Sequence, residues 1–183
     1  MNESFQIIAT LAAVRLALSL APDAEARLVQ SAGRRDGRTA LAAALGFWLA
    51  AVFAAALALL ALDLVVDRLA DRSLELRGLA ALYLAGLALV SVRRAFAAPI
   101  ALPPAPAAVM ATRSVFRHAL RRALSEPATV LLPVAVFTLT GAAALAAPER
   151  LLAALAMPTV ALVWNLVGAA ASGPAPRLRP VRT

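Results

Sequence analysis

Two acidic residues stand directly beside prolines at the ends of long apolar runs. Asp23 follows Pro22 where the first run ends, and Glu126 precedes Pro127 where the fourth run begins. Carboxylates at such helix ends attract a cationic or zwitterionic solute, or titrate in proton exchange. The alternative is that each is an ordinary interfacial carboxylate, with Glu126 stabilising the N-terminus of a helix. The residues alone leave both interpretations open.

Two further polar residues lie inside the apolar runs themselves. Arg15 lies near the middle of the first run, where a charge costs about 2.5–3.5 kcal/mol on insertion scales. It is either a functional residue, or it snorkels along a tilted helix or pairs with an acid of the bundle. Asn165, in the fifth run, faces a cavity or forms an interhelical hydrogen bond worth about 0.6 kcal/mol. Pro133 and Pro158 open the fourth and fifth helices for a path, or only kink them.

The sequence offers little for enzyme chemistry. His118 is the sole histidine and the chain has no cysteine, so no second ligand of either type completes a metal site. Gly33 and Gly37 flank arginines without a preceding strand, so they do not form a nucleotide-binding loop. We therefore predict that the protein is not an enzyme and has no catalytic residue, no bound metal and no cofactor.

The apolar runs that carry these residues are long enough to cross a membrane. Of 183 residues, 62% are hydrophobic and 15% are charged, with a mean hydropathy of +0.82, whereas soluble domains are about one quarter charged. A helix needs roughly 20 apolar residues to cross the hydrocarbon core. The predicted fold is all-α, a polytopic transmembrane helix bundle of about five spans, at 5–22, 39–62, about 74–92, 127–147 and 151–172.

The distribution of arginines predicts how the bundle is oriented. Thirteen arginines fall on one side of the five spans, in 23–38, in 93–126 and in the tail, and four fall on the other side. Because arginines on short loops stay cytoplasmic, we expect the N-terminus outside and the C-terminus in the cytoplasm. The net charge of +8 then reflects topology and contacts with anionic lipid headgroups. We predict the lipid bilayer as a partner and no nucleic acid.

A proline-rich segment divides this single integral membrane domain of residues 1–183. Residues 97–113 contain four prolines among alanines, which is typical of an extended linker, here cytoplasmic. Residues 1–96 form a first half of three helices, 114–172 a second half of two, and 173–183 a basic cytoplasmic tail. The stretch Ser114–Leu124 has basic and apolar sides, and we expect it to lie along the inner headgroups.

Small side chains recur at every fourth position of the second span. This stripe lets another helix approach closely, either within the bundle or in a homodimer. Its members are Ala42, Gly46, Ala50, Ala54 and Ala58.

Several stretches resemble the lysine-exporter (LysE/RhtB) family of amino-acid efflux proteins. Residues 21–29 (APDAEARLV) and 33–46 (GRRDGRTALAAALG) resemble the end of the family's first helix and its basic Gly-Arg-Arg-x-Gly loop. Residues 116–120 (FRHAL) and 124–128 (LSEPA) are similar to the approach to the family's Asn-Pro-Lys motif, and residues 79–87 (LAALYLAGL) to its third helix. The resemblance covers most of residues 1–172 in order and spacing.

The chain also departs from the family pattern. Of the family's Pro-Gly-Pro only Pro22 is present, and Glu126, Pro127 and Ala128 stand in place of Asn-Pro-Lys. The family has six helices in two inverted triplets, whereas eleven residues follow Ser172, so we expect a divergent member without the sixth helix.

The resemblance implies a secondary transporter in the bacterial inner membrane that exports amino acids or similar small zwitterions, powered by the proton gradient. Its expected site comprises Pro22, Asp23, Glu126 and Pro127, with Arg15 and Asn165 as further candidates for substrate binding or gating. The alternative is a non-transporting or partner-dependent membrane protein, a degenerate exporter relic. The missing lysine after Pro127 and the missing sixth span favour that alternative.

Overall fold

In the computed structural model, residues 3–19, 24–66, 73–96 and 110–172 are described. All regular structure within these ranges is helical, which confirms the predicted all-α class. The helices are α1 (Glu3–Ser19), α2 (Ala24–Gly33), α3 (Gly37–Val66), α4 (Ser73–Phe96), α5 (Thr112–Ser125), α6 (Pro127–Thr140) and α7 (Ala147–Ala171), with a 3₁₀ turn at Ala142–Ala144.

Five membrane spans are obtained when two bent helix pairs are each counted as one. Three stretches are long and apolar enough to cross a membrane alone, namely Gly37–Asp63, Ser73–Arg93 and Ala147–Ala171. The axes of α1 and α2 differ by 73°, and those of α5 and α6 by 58°. Each pair taken together is long and apolar enough to cross as one broken span. Together these agree with the polytopic bundle of about five spans predicted from the apolar runs.

The first broken span includes a helix where the sequence predicted a connector. An arginine-rich loop was expected at residues 23–38, yet α2 occupies Ala24–Gly33 within it. Its buried residues, Ala26, Leu28, Val29 and Ala32, recur at helical spacing and form one apolar face. That face packs against α3 and α7, and the four arginines of the segment lie off this face or beyond it.

The second broken span also differs from the sequence prediction. The stretch Ser114–Leu124 was expected to lie along the inner headgroups, but α5 packs on α3, with Val115, Ala119 and Ala123 buried. Gly46 of α3 makes this contact close, since a Cβ there would lie 2.7 Å from the Phe116 carbonyl oxygen. The apolar side of α5 is therefore buried against protein.

Helix α6 is shorter than the predicted fourth span of 127–147. It ends at Thr140, where Gly141 has a φ of 69°, a left-handed conformation that glycine adopts without steric cost. The 3₁₀ turn follows directly. With only 14 residues, α6 needs α5 to complete the span.

Helix α3 is the centre of the bundle and contacts α2, α5, α6 and α7. Of the stripe of small residues along it, Gly46, Ala50, Ala54 and Ala58 are buried and Ala42 is half-buried. The stripe thus serves packing within the bundle. Helix α4 packs mainly on α6 and is the most exposed of the long helices, with Leu74, Leu82 and Phe96 more than 70% exposed.

The apolar core forms two clusters that are stacked along α3. The first, here the arginine-side cluster, joins α2, α5, the end of α7 and the first part of α3, including Val29, Phe47 and Val115. The second, here the far cluster, joins α1, α6 and the remaining parts of α3 and α7, including Leu11, Leu59 and Phe137. Beyond the far cluster, Arg150 Nη1 lies 2.7 Å from an Asp63 carboxylate oxygen.

Candidate functional site

A cavity of about 340 Å³ lies between the two bent helix pairs, α3 and the middle of α7. Phe47 and Ala123 of the arginine-side cluster line it, as do Ala55, Leu132 and Met157 of the far cluster. It therefore lies at the level where the two clusters meet. Its size falls in the range of about 300–1,000 Å³ that is usual for small-molecule sites.

Charged side chains line the cavity where each bent pair breaks. Arg15 comes from α1, Glu25 and Arg27 from the start of α2, Arg122 from the end of α5, and Glu126 from the residue between α5 and α6. Arg27, Arg122 and Glu126 are exposed, so this end of the cavity is open. The remaining walls are largely apolar and lead into the far cluster.

Arg15 and Glu25 form an ion pair across the first break. Arg15 Nη2 donates a hydrogen bond to Glu25 Oε2 at 3.1 Å, and the two side chains are 17% and 21% exposed. Such a charge inside a span is costly unless it is paired. Pairing with an acid of the bundle was one of the alternatives raised for Arg15. Glu25, which follows the bend between α1 and α2, is that acid.

Glu126 holds the N-cap position of α6, but its carboxylate does not cap the helix. The side chain makes no cap hydrogen bond, whereas a capping carboxylate would accept one from the first-turn N–H groups. Glu126 is instead one of the residues that line the cavity. At this position Glu126 still lies beside the positive end of the α6 dipole, so both interpretations drawn from the sequence stay open.

Two helix N-termini meet at the cavity, since Ala24 begins α2, and Ala128 and Thr129 lie in the first turn of α6. The N-terminal end of a helix carries a partial positive charge. With the arginines beside them, these ends favour a carboxylate, while the lining carboxylates favour an ammonium group. Broken helices arranged in this way are a recurrent feature of secondary transporters.

A family model described as LysE type translocator matches residues 16–180. The chain belongs to the LysE type translocator family. No curated protein and no solved structure matches it. Membership confirms the resemblance drawn from the sequence motifs and indicates a multi-pass membrane transporter of amino acids or similar solutes, a role that fits the expectation of a non-enzyme embedded in a lipid bilayer.

The structure of this LysE-type translocator brings together only some of the residues singled out from the sequence. Arg15 and Glu126 line the same cavity. Pro127 is the first residue of α6 and stands between the lining residues Glu126 and Ala128. Asn165 is buried on α7 but is not among the lining residues. Pro22 and Asp23 lie outside the described residues.

Pro133 and Pro158 also line the cavity. The sequence left open whether these prolines open a path or only kink their helices. Both lie inside helices, α6 and α7 respectively, and proline leaves a carbonyl of the preceding turn without its helical partner. Each proline thus removes one backbone hydrogen bond from its helix at the level of the cavity.

Sequence reasoning did not single out Glu25, Arg27, Arg122 or Thr129, all of which line the cavity. The arginines were counted as orientation signals, since they stand in connectors with other arginines. One signal was available for Arg122, which stands one helical turn before Glu126. Residues at that spacing share a helix face. At the break after Ser125, this face lines the cavity.

Proposed function

We propose that this protein is a secondary transporter that exports amino acids or similar small zwitterionic metabolites across the bacterial inner membrane. The observation that carries the proposal is the cavity between two broken spans, which presents arginines, carboxylates and two helix N-termini together. A zwitterionic amino acid carries an ammonium group, which matches the carboxylates of the cavity, and a carboxylate, which matches its arginines and helix N-termini. Family membership over residues 16–180 supports transport as the activity.

We further propose that the bound solute enters from the cytoplasm. The exposed residues Arg27, Arg122 and Glu126 form the open end of the cavity, on the side where the arginines predominate. That side is cytoplasmic under the positive-inside rule, which places the N-terminus outside and the C-terminus inside. An exporter loads its solute from this side.

The opposite end is closed in the arrangement described. The far cluster stands between the cavity and that end, with Leu11 and Phe137 fully buried. Arg150 then bonds both carboxylate oxygens of Asp63, at 2.7 and 2.9 Å, and Ser4 Oγ donates to Glu149 Oε1 at 2.7 Å. Export requires these contacts to separate while the cytoplasmic end closes, as in rocking of the two halves around a fixed site.

Proton coupling is assigned to Glu126. Its carboxylate is exposed at the open end and is not engaged as a helix cap. Protonation removes the charge that would hold an ammonium group, so proton entry and solute release become linked. In vesicles carrying an imposed pH gradient, Glu126→Gln is expected to abolish the acceleration of transport by the gradient while the unmodified chain retains it.

Efflux from cells loaded with an amino-acid mixture tests the proposed function. Cells with the unmodified chain should lose particular amino acids faster than cells with an empty vector, and Glu126→Ala should abolish the difference. Glu75→Ala provides the matched control, because Glu75 is an exposed carboxylate of α4 that does not line the cavity. No difference from the vector, with the protein shown to be in the membrane, would favour a non-transporting or partner-dependent protein.

A further inference from the structure

The cavity has two chemically different ends. Four of its charged residues, Glu25, Arg27, Arg122 and Glu126, lie beside the breaks of the bent pairs, and the last three are exposed. The fifth, Arg15, lies within α1 and reaches this end through its hydrogen bond to Glu25. The wall remote from the breaks is formed by Ala51 and Ala55 of α3, Leu132 of α6 and Met157 of α7. Three of these four, Ala55, Leu132 and Met157, belong to the far cluster, so this end is closed and apolar.

Acidic side chains are confined to the charged end. Among the described residues that line the cavity, the acids are Glu25 and Glu126. Glu25 follows the first break and is bonded to Arg15 at 3.1 Å, while Glu126 lies at the second break. The described part of the apolar end therefore offers no carboxylate to a cationic group.

We propose that this protein selects amino acids with an apolar side chain of about the size of leucine or methionine, and disfavours lysine and arginine. This inference rests on the proposed function, namely that the cavity holds an amino acid. The backbone carboxylate and ammonium groups bind at the charged end, where the arginines, the helix N-termini and Glu126 converge. The side chain then projects into the apolar end.

The apolar end discriminates by burial and by size. A leucine side chain placed there is removed from water and gains the hydrophobic contribution of its buried surface. A lysine side chain in the same position brings an ammonium group among the side chains of Leu132, Met157 and Ala55, which cannot accept its hydrogen bonds. A buried charge without a partner is strongly unfavourable. A smaller side chain such as that of alanine binds without this penalty but leaves apolar surface uncovered.

Counterflow into proteoliposomes tests this selectivity whatever the coupling ion is. Vesicles containing the full chain are loaded with unlabelled leucine, lysine or alanine, and uptake of the same labelled amino acid is measured. Leucine counterflow should exceed lysine counterflow by about tenfold or more, since differences of that size are usual where a site must leave a polar group unpaired.

Substitutions at Ala51 of α3 and Met157 of α7 test whether the apolar end determines selectivity, and Ala56→Leu is the control. Ala51→Leu fills the apolar end and should lower leucine counterflow by about tenfold while alanine counterflow stays within about twofold, because only the larger side chain meets the added bulk. Ala56→Leu adds the same volume at an exposed position of α3 outside the cavity and should leave both unchanged. Met157→Ala enlarges the same end and should raise phenylalanine relative to leucine by about threefold or more.

The outcomes separate this inference from the proposed function. Lysine counterflow equal to or above that of leucine would overturn the apolar selectivity while leaving amino-acid transport established. Leucine counterflow that neither Ala51→Leu nor Met157→Ala alters, in correctly folded protein, would also overturn it, because the side chain would then bind elsewhere. Absence of counterflow for every amino acid in folded, reconstituted protein would refute the proposed function, and the selectivity with it.

Discussion

At the scale of single residues, charge within the membrane is accommodated by pairing at the breaks of helices. Arg15 lies within α1 and reaches Glu25 in the first turn of α2, so the bend that exposes backbone ends also neutralises the arginine. The sequence predicted that Arg15 needed either a function or a partner. It did not identify Glu25 as that partner, because the contact depends on the angle of 73° between α1 and α2.

The Arg15–Glu25 pair should contribute measurably to stability. Because each side chain is about one fifth exposed, removing one partner should cost less than the 3–5 kcal/mol of a fully buried pair, about 1–3 kcal/mol. Arg15→Met and Glu25→Gln should each lower the free energy of unfolding, measured by denaturing titration in mixed micelles. The double variant should be more stable than the sum of the two losses predicts. Strictly additive losses would show that the pair does not couple.

A second residue-scale prediction concerns pH and the turn between α2 and α3. Asp36 accepts hydrogen bonds from the Thr39 N–H at 2.7 Å and from the Thr39 hydroxyl at 2.8 Å. The backbone bond, followed by the hydroxyl bond, holds the pKa of the Asp36 carboxyl below its usual value of 3.8. A lowered pKa stabilises the fold above the unfolded-state value, and that contribution is lost as the pH falls through the folded-state value.

Asp36→Asn should therefore be less stable than the unmodified chain at pH 6. The difference between their thermal midpoints should shrink as the pH falls below about 4. A difference that stays constant down to pH 3 would contradict the role assigned to the ionised carboxylate.

At the scale of elements, the contact of α5 with α3 determines the shape of the second broken span. A Cβ on Gly46 would lie 2.7 Å from the Phe116 carbonyl oxygen and 2.9 Å from Ala119 Cβ. Backbone cannot move out of the way as a flexible side chain can, so a larger residue there forces the helices apart. The cavity depends on this contact because Phe47, next to Gly46, and Ala123 of α5 both line it.

Gly46→Ala should destabilise the protein by about 1–3 kcal/mol through overpacking. Gly86→Ala is the matched control, since a Cβ on Gly86 of α4 would meet nothing within 4 Å, and it should be neutral or slightly stabilising because alanine has the higher helix propensity. Both are measured by the same unfolding titration. Equal effects of the two substitutions would mean that α5 does not pack on Gly46 as described.

The sequence predicted some of these elements better than others. Long charge-free runs predicted α3 and α7, because length and composition alone decide whether a helix is apolar enough to cross a membrane. Helix α2 was missed and α5 was misplaced, because α2 has only ten residues, two of them charged, and α5 carries four arginines. Each completes its span only by burying a narrow apolar face. Such faces depend on tertiary contacts that composition does not reveal.

The candidate site was predictable to a similar extent. Pro127 predicted where a helix begins, and Glu126 lies beside that end in the structure. Pro22 lies outside the described residues. Asn165, in contrast, was grouped with the site on polarity alone and lies outside the cavity. The apolar lining residues, such as Ala51, Leu132 and Met157, could not be recognised as part of a site from the sequence. Alanine, leucine and methionine are equally typical of packing in any membrane helix.

At the scale of the whole molecule, one end of the bundle is open and the other is closed. The cavity opens on the arginine side of the bundle. The far cluster and, beyond it, the Asp63–Arg150 ion pair at 2.7 Å lie towards the opposite end. A transporter must expose its site to each side in turn. Under the orientation proposed above, this arrangement corresponds to the state that accepts solute from the cytoplasm.

Site-directed labelling of a single introduced cysteine tests this account most directly, because the chain contains no cysteine of its own. Thr129→Cys places the thiol on the cavity wall, and a membrane-impermeant maleimide is applied to inside-out and right-side-out vesicles. We predict rapid labelling from the cytoplasmic face only, slowed severalfold by leucine but not by lysine. Labelling from the outer face only, or labelling that no amino acid slows, would contradict a cytoplasm-facing amino-acid site between the two broken helices.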